Sequence, residues 1–397
     1  MELFFYLFSC LMLFSIWKIF RDYLHPAFIT IGIWFIIIFS YNYLISETKL
    51  WFPLSDSFYF ILISYISAFC FFSGFFSLKK TKGTSIESVR FKLKHEFFLY
   101  ISIVCLGISN IYYINLIKSV GFNFLREETQ FGTSLPFHVK ICSYFMQPGI
   151  VLFFLGITKK QNRIKYKISL FILALMILIS FFTSMNKGGF FQLAICVFYF
   201  LKVNRKLNMK TIFLLVTVLV VLVIILQFLR SGNESSRDNF FSRFLYVYFL
   251  SPAPAFDAVI SGTKDLHSDY FGCWTLSFFY RVLNKMGIID VLPTTLLKSE
   301  KWIGVPYATN VYTMPGYFYI DYGFIGIILC ALLYGGIFGK LYSRIKYQNS
   351  ISSKIFFSLY LYCLAFQFFG DWFFGFFSVT LQTIFWLFFL TNKFKLY

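Results

Sequence analysis

The chain has 397 residues, of which 58% are hydrophobic and 13% are charged, and its mean hydropathy is +0.72. A soluble domain carries roughly 25% charged residues. This composition therefore excludes a set of soluble domains, a disordered chain and a secreted disulfide scaffold. The formal net charge of +19 belongs to a chain with few charges overall, and the class that remains is a polytopic membrane protein.

Apolar runs recur along the whole chain, and about 20 such residues suffice to cross a bilayer as a helix. Eleven runs qualify: 3–19, 27–45, 57–78, 97–117, 139–158, 168–184, 188–203, 211–229, 320–340, 355–370 and 373–391. The sequence predicts an all-α, polytopic integral membrane protein with about 11 transmembrane helices. It divides into an N-terminal bundle of about eight helices (1–229), one large extracytoplasmic loop containing short helices (230–319), and about three C-terminal helices (320–397).

The charged residues indicate the orientation of these spans. The loops 18–26, 79–96, 159–167, 202–210 and 340–354 and the tail after 391 hold 23 of the 36 Lys and Arg residues but only three of the 17 acidic residues. Basic residues accumulate in cytoplasmic loops. We therefore expect a periplasmic N-terminus and a cytoplasmic C-terminus, and we expect no nucleic-acid partner because the positive charge is a topology signal.

The segment 240–260 is apolar enough to suggest a further span. A single extra crossing would place the basic loop 340–354 outside the cell, which contradicts the charge distribution. The segment also contains Arg243, Pro252 and Pro254. We therefore predict an interfacial helix followed by a turn that the prolines break.

Long outer loops are usually functional or disordered, and the aromatic content of 230–319 argues against disorder. No nucleotide-binding motif occurs in the chain. The loop carries four arginines, whose guanidinium groups bind phosphate in two-point fashion: Arg230, Arg237, Arg243 and Arg281. Lys187, in the outer turn 183–189, faces the same side. The alternatives for these cations are contact with lipid headgroups or pairing with aspartates of the loop.

A second cluster lies at 310–326, where the loop returns to the membrane. Asn310, Tyr312, Tyr317 and Tyr319 lie in this run, and its tyrosines could be functional or could form an ordinary interfacial belt. Asp321 could be a functional group or the partner of a loop arginine. His267 and His138 face outward and could act as general bases.

Three further predictions concern single motifs. The Gly335-x-x-x-Gly339 motif predicts close helix packing. Asp371, in the turn between the last two spans, is expected to be a solvated interface residue. No metal is expected, because the outer carboxylates form no close pair and the cysteines follow no ligand spacing.

The layout and three motifs together resemble a known family. An arginine follows a long apolar helix at 230, an Asn-x-Tyr-Thr … Asp-x-Gly-x-x-Gly run covers 310–326, and an Asn-Lys-Gly-Gly turn covers 186–189. This pattern resembles the O-antigen or oligosaccharide repeat-unit polymerases of the Wzy class. Lys187 stands where that family commonly has arginine, so the charge is kept and the planar fork is lost.

The resemblance implies a metal-independent glycosyltransferase without cofactors in the bacterial inner membrane. Its donor is a glycan on undecaprenyl pyrophosphate, and its acceptor is a repeat unit on a second such lipid. The cations at 230, 237, 243, 281 and 187 would stabilise the leaving diphosphate. The base would be His267, Asp321 or Asp238, and the residues 310, 312, 317 and 319 would hold the glycan. The implied partners are these lipid-linked oligosaccharides, membrane lipids, a chain-length regulator and a flippase.

Two alternatives stay open at this point. An O-antigen ligase shares the donor chemistry and differs in the acceptor. A lipid-linked oligosaccharide flippase or other transporter is the alternative from a different class. A transporter would spread polar residues through many spans, whereas the spans of this chain carry almost no charge.

Overall fold

A computed structural model describes most of the chain. It covers residues 1–46, 52–79, 93–121, 135–158, 164–184, 187–203, 246–264, 270–290 and 309–391, with the single residues 208, 210, 217, 221, 225, 266 and 305. These residues form helices and connecting segments, and no β-strand ladder occurs among them. The predicted all-α, polytopic fold class is confirmed.

Thirteen helices have described bounds. They are α1 (Glu2–Phe20), α2 (Pro26–Ser46), α3 (Asp56–Leu78), α4 (Leu93–Val120), α5 (Phe137–Ser143), α6 (Met146–Thr158), α7 (Ile164–Thr183), α8 (Lys187–Val203), α9 (Pro252–Ile260), α10 (Ser277–Lys285), α11 (Met314–Gln348), α12 (Ile351–Ala365) and α13 (Phe377–Thr391). A π-helical turn, Tyr246–Leu250, precedes α9.

Ten of the eleven predicted spans coincide with these helices. Within the described residues, seven helical segments are long and apolar enough to cross a membrane, with α5 and α6 together making one of them. Three shorter apolar helices correspond to α8, α12 and α13. The predicted span 211–229 lies outside the described residues, apart from three isolated positions.

The chain divides into two compact units that do not follow chain order. Unit 1 contains 1–85, 236–349 and 363–378, and unit 2 contains 86–235, 350–362 and 379–397. In unit 2, buried His95 of α4 bonds the Leu390 carbonyl of α13 through Nε2 (2.8 Å). Asn110 of α4 donates to the Met176 carbonyl of α7 and accepts a hydrogen bond from Ser180.

The core of unit 1 is the contact between α3 and α11. A Cβ placed on Gly335 would press against the Phe69 carbonyl, and one on Gly339 would press against the Ser73 carbonyl. Only glycine allows the two backbones to approach this closely. The predicted role of this glycine motif is confirmed.

The α11 helix is folded back on itself. Gly323 has φ 60° and ψ −146°, which interrupts the helix after nine residues. A Cβ on Gly326 would collide with the Phe318 carbonyl, although a continuous helix would separate positions eight apart by about 12 Å. The residues 314–322 and 324–348 therefore form a helical hairpin, which we call the short arm and the long arm.

The segment around α9 differs from the predicted turn. Pro252 and Pro254 lie in the first turn of a regular helix instead of ending one. The first turn requires no amide hydrogen from these positions, so proline is tolerated there. Residues 252–257 are all buried, and residues 240–245 of the predicted interfacial helix lie outside the described residues.

Candidate functional site

The structure describes about half of the predicted site. Five predicted positions lie outside the described residues: Arg230, Arg237, Asp238, Arg243 and His267. Lys187 is the first residue of α8, and its side chain is likewise not described. The predicted convergence of the cations on one diphosphate therefore stays a prediction.

Arg281 lies in the middle of α10 and is exposed. No acidic side chain among the described residues forms an ion pair with it. Because an unpaired guanidinium keeps all five donors available, Arg281 is able to bind an anion from outside the protein. The alternative that it pairs with a described aspartate of the loop finds no support.

Asp321 lies in the short arm, two residues before the hairpin reversal. Its Oδ2 accepts hydrogen bonds from the Thr275 amide (2.8 Å) and hydroxyl (2.7 Å), and its Oδ1 accepts one from the Trp274 amide (3.2 Å). Both carboxylate oxygens thus hold the segment that leads into α10. We call this contact the Asp321 clasp. Through it, the hairpin tip positions the helix that carries Arg281.

The aromatic residues of the second cluster have different environments. Tyr312 is completely buried, in a hydrophobic cluster with Ala255, Leu266, Val305 and Ile320. The rings of Tyr312 and Tyr317 lie 6.0 and 5.2 Å from that of Trp274, centroid to centroid. Among the four residues predicted to hold the glycan, Asn310 is exposed, and Tyr317 and Tyr319 are partly exposed.

A buried glutamine that the sequence analysis did not select organises the interior of unit 1. Gln367 Oε1 accepts hydrogen bonds from Trp34 Nε1 (3.1 Å) and from the Tyr65 hydroxyl (2.9 Å). The Gln367 side-chain Nε2 donates a hydrogen bond to the Leu364 carbonyl. The backbone carbonyl of Gln367 accepts a hydrogen bond from the Met314 amide (2.6 Å). One side chain and its backbone therefore join α2, α3, the start of the short arm and the segment after α12.

This network lies well inside the helix bundle of unit 1. Tyr65 is nine residues from the start of α3, and Trp34 is twelve residues from the end of α2. At 1.5 Å per residue these positions are about 14 and 18 Å from those helix ends. Residues 366–376, which are not helical, and the start of the short arm therefore both reach the middle of the bundle.

The environment of Asp371 differs from the one predicted from the sequence. Asp371 is not a solvated residue of an outer turn, because its Oδ1 accepts a hydrogen bond from the Tyr334 hydroxyl of the long arm. The same oxygen accepts the amides of Phe373 (3.0 Å) and Phe374 (2.9 Å), and Oδ2 is shielded from solvent. The turn enters the protein, and its acid is bound within the bundle.

Asp257 is a second buried acid that the sequence analysis passed over. It lies on α9 and accepts two hydrogen bonds from Ser55, one from the amide (2.8 Å) and one from the hydroxyl. Ser55 is also the N-cap of α3 and accepts the Phe58 amide. Burial raises the pKa of Asp257 above its ordinary value, although the bonds from Ser55 oppose the shift. The pair fastens α9 to the start of α3.

The glycines of the predicted outer turn serve packing. Gly189 lies in the first turn of α8, and a Cβ there would strike the Phe181 ring of α7.

Within the described part of the chain, no group of three or more His, Cys, Asp or Glu residues is arranged to hold a metal ion.

The helices and the buried polar connections between them define an integral membrane protein of the multi-pass class. Over 275 residues, which are 68% of this chain, the sequence is 28% identical to an Escherichia coli (strain K12) protein named "Putative O-antigen polymerase". The matched region spans 64% of that relative's length. The similarity confirms the resemblance to O-antigen polymerases that the motifs indicated. No family model and no solved structure matches the chain.

Proposed function

We propose that this protein polymerises lipid-linked oligosaccharide repeat units, carried on undecaprenyl pyrophosphate, into O-antigen or a similar surface polysaccharide. The reaction takes place at the outer face of the bacterial inner membrane, with the N-terminus periplasmic and the C-terminus cytoplasmic. The observation that carries the proposal is the 28% identity over 275 residues to the E. coli protein named for this role.

In the proposed reaction the protein holds the two substrates in place, supplies fixed cations near the leaving group and provides a base. A hydroxyl oxygen of the acceptor sugar attacks the anomeric carbon of the donor. The bond from that carbon to the diphosphate oxygen breaks, the electron pair leaves with the diphosphate, and the hydroxyl proton passes to a base. Fixed cations stabilise the negative charge that develops on the leaving group. Arg281 is the described residue that suits this role, together with the other loop arginines and Lys187.

The base is proposed among His267, Asp238 and Asp321. The Asp321 clasp supports the first two, because a carboxylate that already accepts three hydrogen bonds has little capacity left for a sugar hydroxyl. A positioning role suits Asp321 better, since its clasp fixes the segment that precedes α10. Exposed surface that a glycan can contact remains on Asn310, Tyr317 and Tyr319. The buried Tyr312 instead packs against the rings of Trp274 and Tyr317.

The test is reconstitution of the purified full-length chain in proteoliposomes with lipid-linked repeat units and no flippase. We expect a ladder of longer glycans on the lipid. A chelator in a parallel sample is expected to leave the ladder unchanged. In a second sample supplied with a different acceptor, transfer of one glycan to that acceptor without a ladder would instead identify a ligase. Binding without any bond formation would identify a transporter and overturn the proposal.

A further inference from the structure

The α10 helix has two chemically distinct faces. At 100° per residue, Phe279, Val282 and Met286 fall within about 60° of one another, and the apolar Phe278 and Leu283 flank them. The opposite half of the helix carries Ser277, Tyr280, Arg281, Asn284 and Lys285. Such a short, sharply divided helix is typical of segments that lie at a boundary between water and an apolar phase.

The centre of the apolar face is exposed. Phe279 is 47% exposed, Val282 38% and Met286 67%, and Ile288 and Phe271 extend the exposed patch. Two polar side chains of the opposite half bond to neighbouring backbone carbonyls. The Tyr280 hydroxyl donates to the Phe271 carbonyl (2.6 Å), and Asn284 donates to the Ile289 carbonyl (2.9 Å). A helix that packs on a protein core would instead bury the centre of its apolar face.

The patch adjoins the ends of two apolar helices. The Phe271 ring lies 5.1 Å from that of Tyr322, beside the hairpin reversal, where Phe324 and Ile325 begin the long arm and are exposed. The Phe279 ring lies 5.7 Å from that of Phe377, the first residue of α13. In a multi-pass membrane protein, an exposed apolar surface that is continuous with the ends of the membrane helices faces lipid.

Two cations complete the pattern. Arg281 and Lys285 are four residues apart, so they project from the same side of α10 along the border of the apolar face. Both are exposed. Long basic side chains at such a border reach the phosphates of the headgroup layer while their stems cover apolar surface.

We propose that α10 is a membrane-surface helix whose apolar face inserts into the outer leaflet, so that Arg281 and Lys285 contact lipid phosphates. The bilayer is the occupant that the continuity with the hairpin tip and with α13 supports. The inference requires only that the chain spans a membrane, and it holds even if the polymerase proposal fails. If both hold, α10 places Arg281 at the level of a lipid-linked diphosphate.

The experiment measures the surroundings of single labelled positions in the full-length protein. Cys10 and Cys105 are the native cysteines that are not buried, so both are replaced by serine. An environment-sensitive fluorophore is then attached to Val282→Cys, to Met286→Cys or to the control Ser261→Cys, an exposed polar position after α9. The proteins are reconstituted in vesicles of phosphatidylethanolamine and phosphatidylglycerol, and quenching is compared between aqueous iodide and spin-labelled lipid.

We expect blue-shifted emission from the probes at 282 and 286, with loss of intensity on adding lipid spin-labelled near the headgroup and little loss with iodide. The probe at 261 is expected to emit as in water and to be quenched by iodide. Iodide quenching at 282 and 286 would overturn the proposal. Shielding of both probes from iodide and from spin-labelled lipid would also overturn it, because a protein partner would then cover the face. Gel-filtration behaviour identical to the parent protein confirms that each labelled chain is folded.

Discussion

Two regions of unit 1 differ in the environment of their polar side chains, which is buried in one region and exposed in the other. Around Gln367, the hydrogen bonds are made inside the bundle, and the groups involved have no contact with solvent. On α10, the cation Arg281 is exposed and no described acid neutralises it. The polar groups of the first region are therefore satisfied inside the protein, whereas the guanidinium group of the second region is left exposed. The Asp321 clasp connects the second region to the hairpin.

The largest expected effect comes from removing the cation on α10. Arg281→Ala is expected to lower the polymerisation rate by about 100-fold, the usual loss for one fixed group that stabilises developing negative charge. Arg281→Lys should recover only part of it, because the ammonium lacks the planar fork. The measurement is glycan chain growth in proteoliposomes.

Lys264→Ala is the matched control, because this cation also belongs to the outer loop and follows α9. It should behave as wild type. If Arg281→Ala were as active as wild type, the exposed cation would have no function in the reaction. The functional difference between the exposed and the buried region would then be wrong.

The second prediction separates positioning from proton transfer at Asp321. Asp321→Asn weakens hydrogen bonds of about 1–1.5 kcal/mol each, so we expect about a tenfold loss of rate with an unchanged pH profile. Thr275→Val removes one donor of the clasp and leaves the carboxylate, and it should cause a similar loss. If Asp321→Asn removed the acidic limb of the pH profile while Thr275→Val had no effect, Asp321 would be the base.

The third prediction concerns the buried network. Gln367→Leu leaves Trp34 and Tyr65 without their acceptor, which should destabilise the protein by about 1–2 kcal/mol. Thermal unfolding of the purified protein measures the loss. Gln192→Leu removes one longer hydrogen bond (3.3 Å to the Leu359 carbonyl) and should cost less. A larger shift for Gln192→Leu than for Gln367→Leu would contradict the assigned role of the network.

The smallest effect is expected at Asp257, where burial raises the pKa above its ordinary value of 3.8. A raised pKa means that the folded protein favours the neutral acid. Its stabilising contribution is present below the unfolded pKa and is lost as pH rises through the folded pKa. Asp257→Asn should therefore lose less stability than wild type as pH rises above about 4. The midpoint of thermal unfolding of the two purified proteins, followed as a function of pH, measures the difference.

Sequence periodicity and hydropathy were sufficient to predict the fold class and ten of the eleven spans. They were also sufficient for the α3–α11 contact, because a Gly-x-x-x-Gly spacing has a direct packing consequence. The hairpin at Gly323 was not predicted. In the sequence it lies near the start of the apolar run 320–340, where a glycine that adopts positive φ cannot be distinguished from one that merely reduces side-chain volume.

The site was predicted less completely, for a physical reason. Gln367 and Trp34 are 333 residues apart, and a hydrogen bond at that separation leaves no periodic signal. Asp371 was judged by its position beside apolar runs, which suggested an interface, whereas burial depends on which segments re-enter the bundle. A polar residue inside an otherwise apolar segment was the signal available at 367. The loop arginines were found by charge alone, and Arg281 is the one among these four whose environment is described.

The hairpin has a consequence for the biogenesis of the protein. The nine residues of the short arm extend only about 14 Å, too short to cross a bilayer of about 30 Å, so the insertion machinery can integrate the long arm but not the short one. The short arm has to enter its place afterwards. Its first amide is bound by the carbonyl of Gln367, which is synthesised more than 50 residues later. Docking of the short arm therefore waits for residue 367, and a chain truncated before this residue should contain the long arm without a docked short arm.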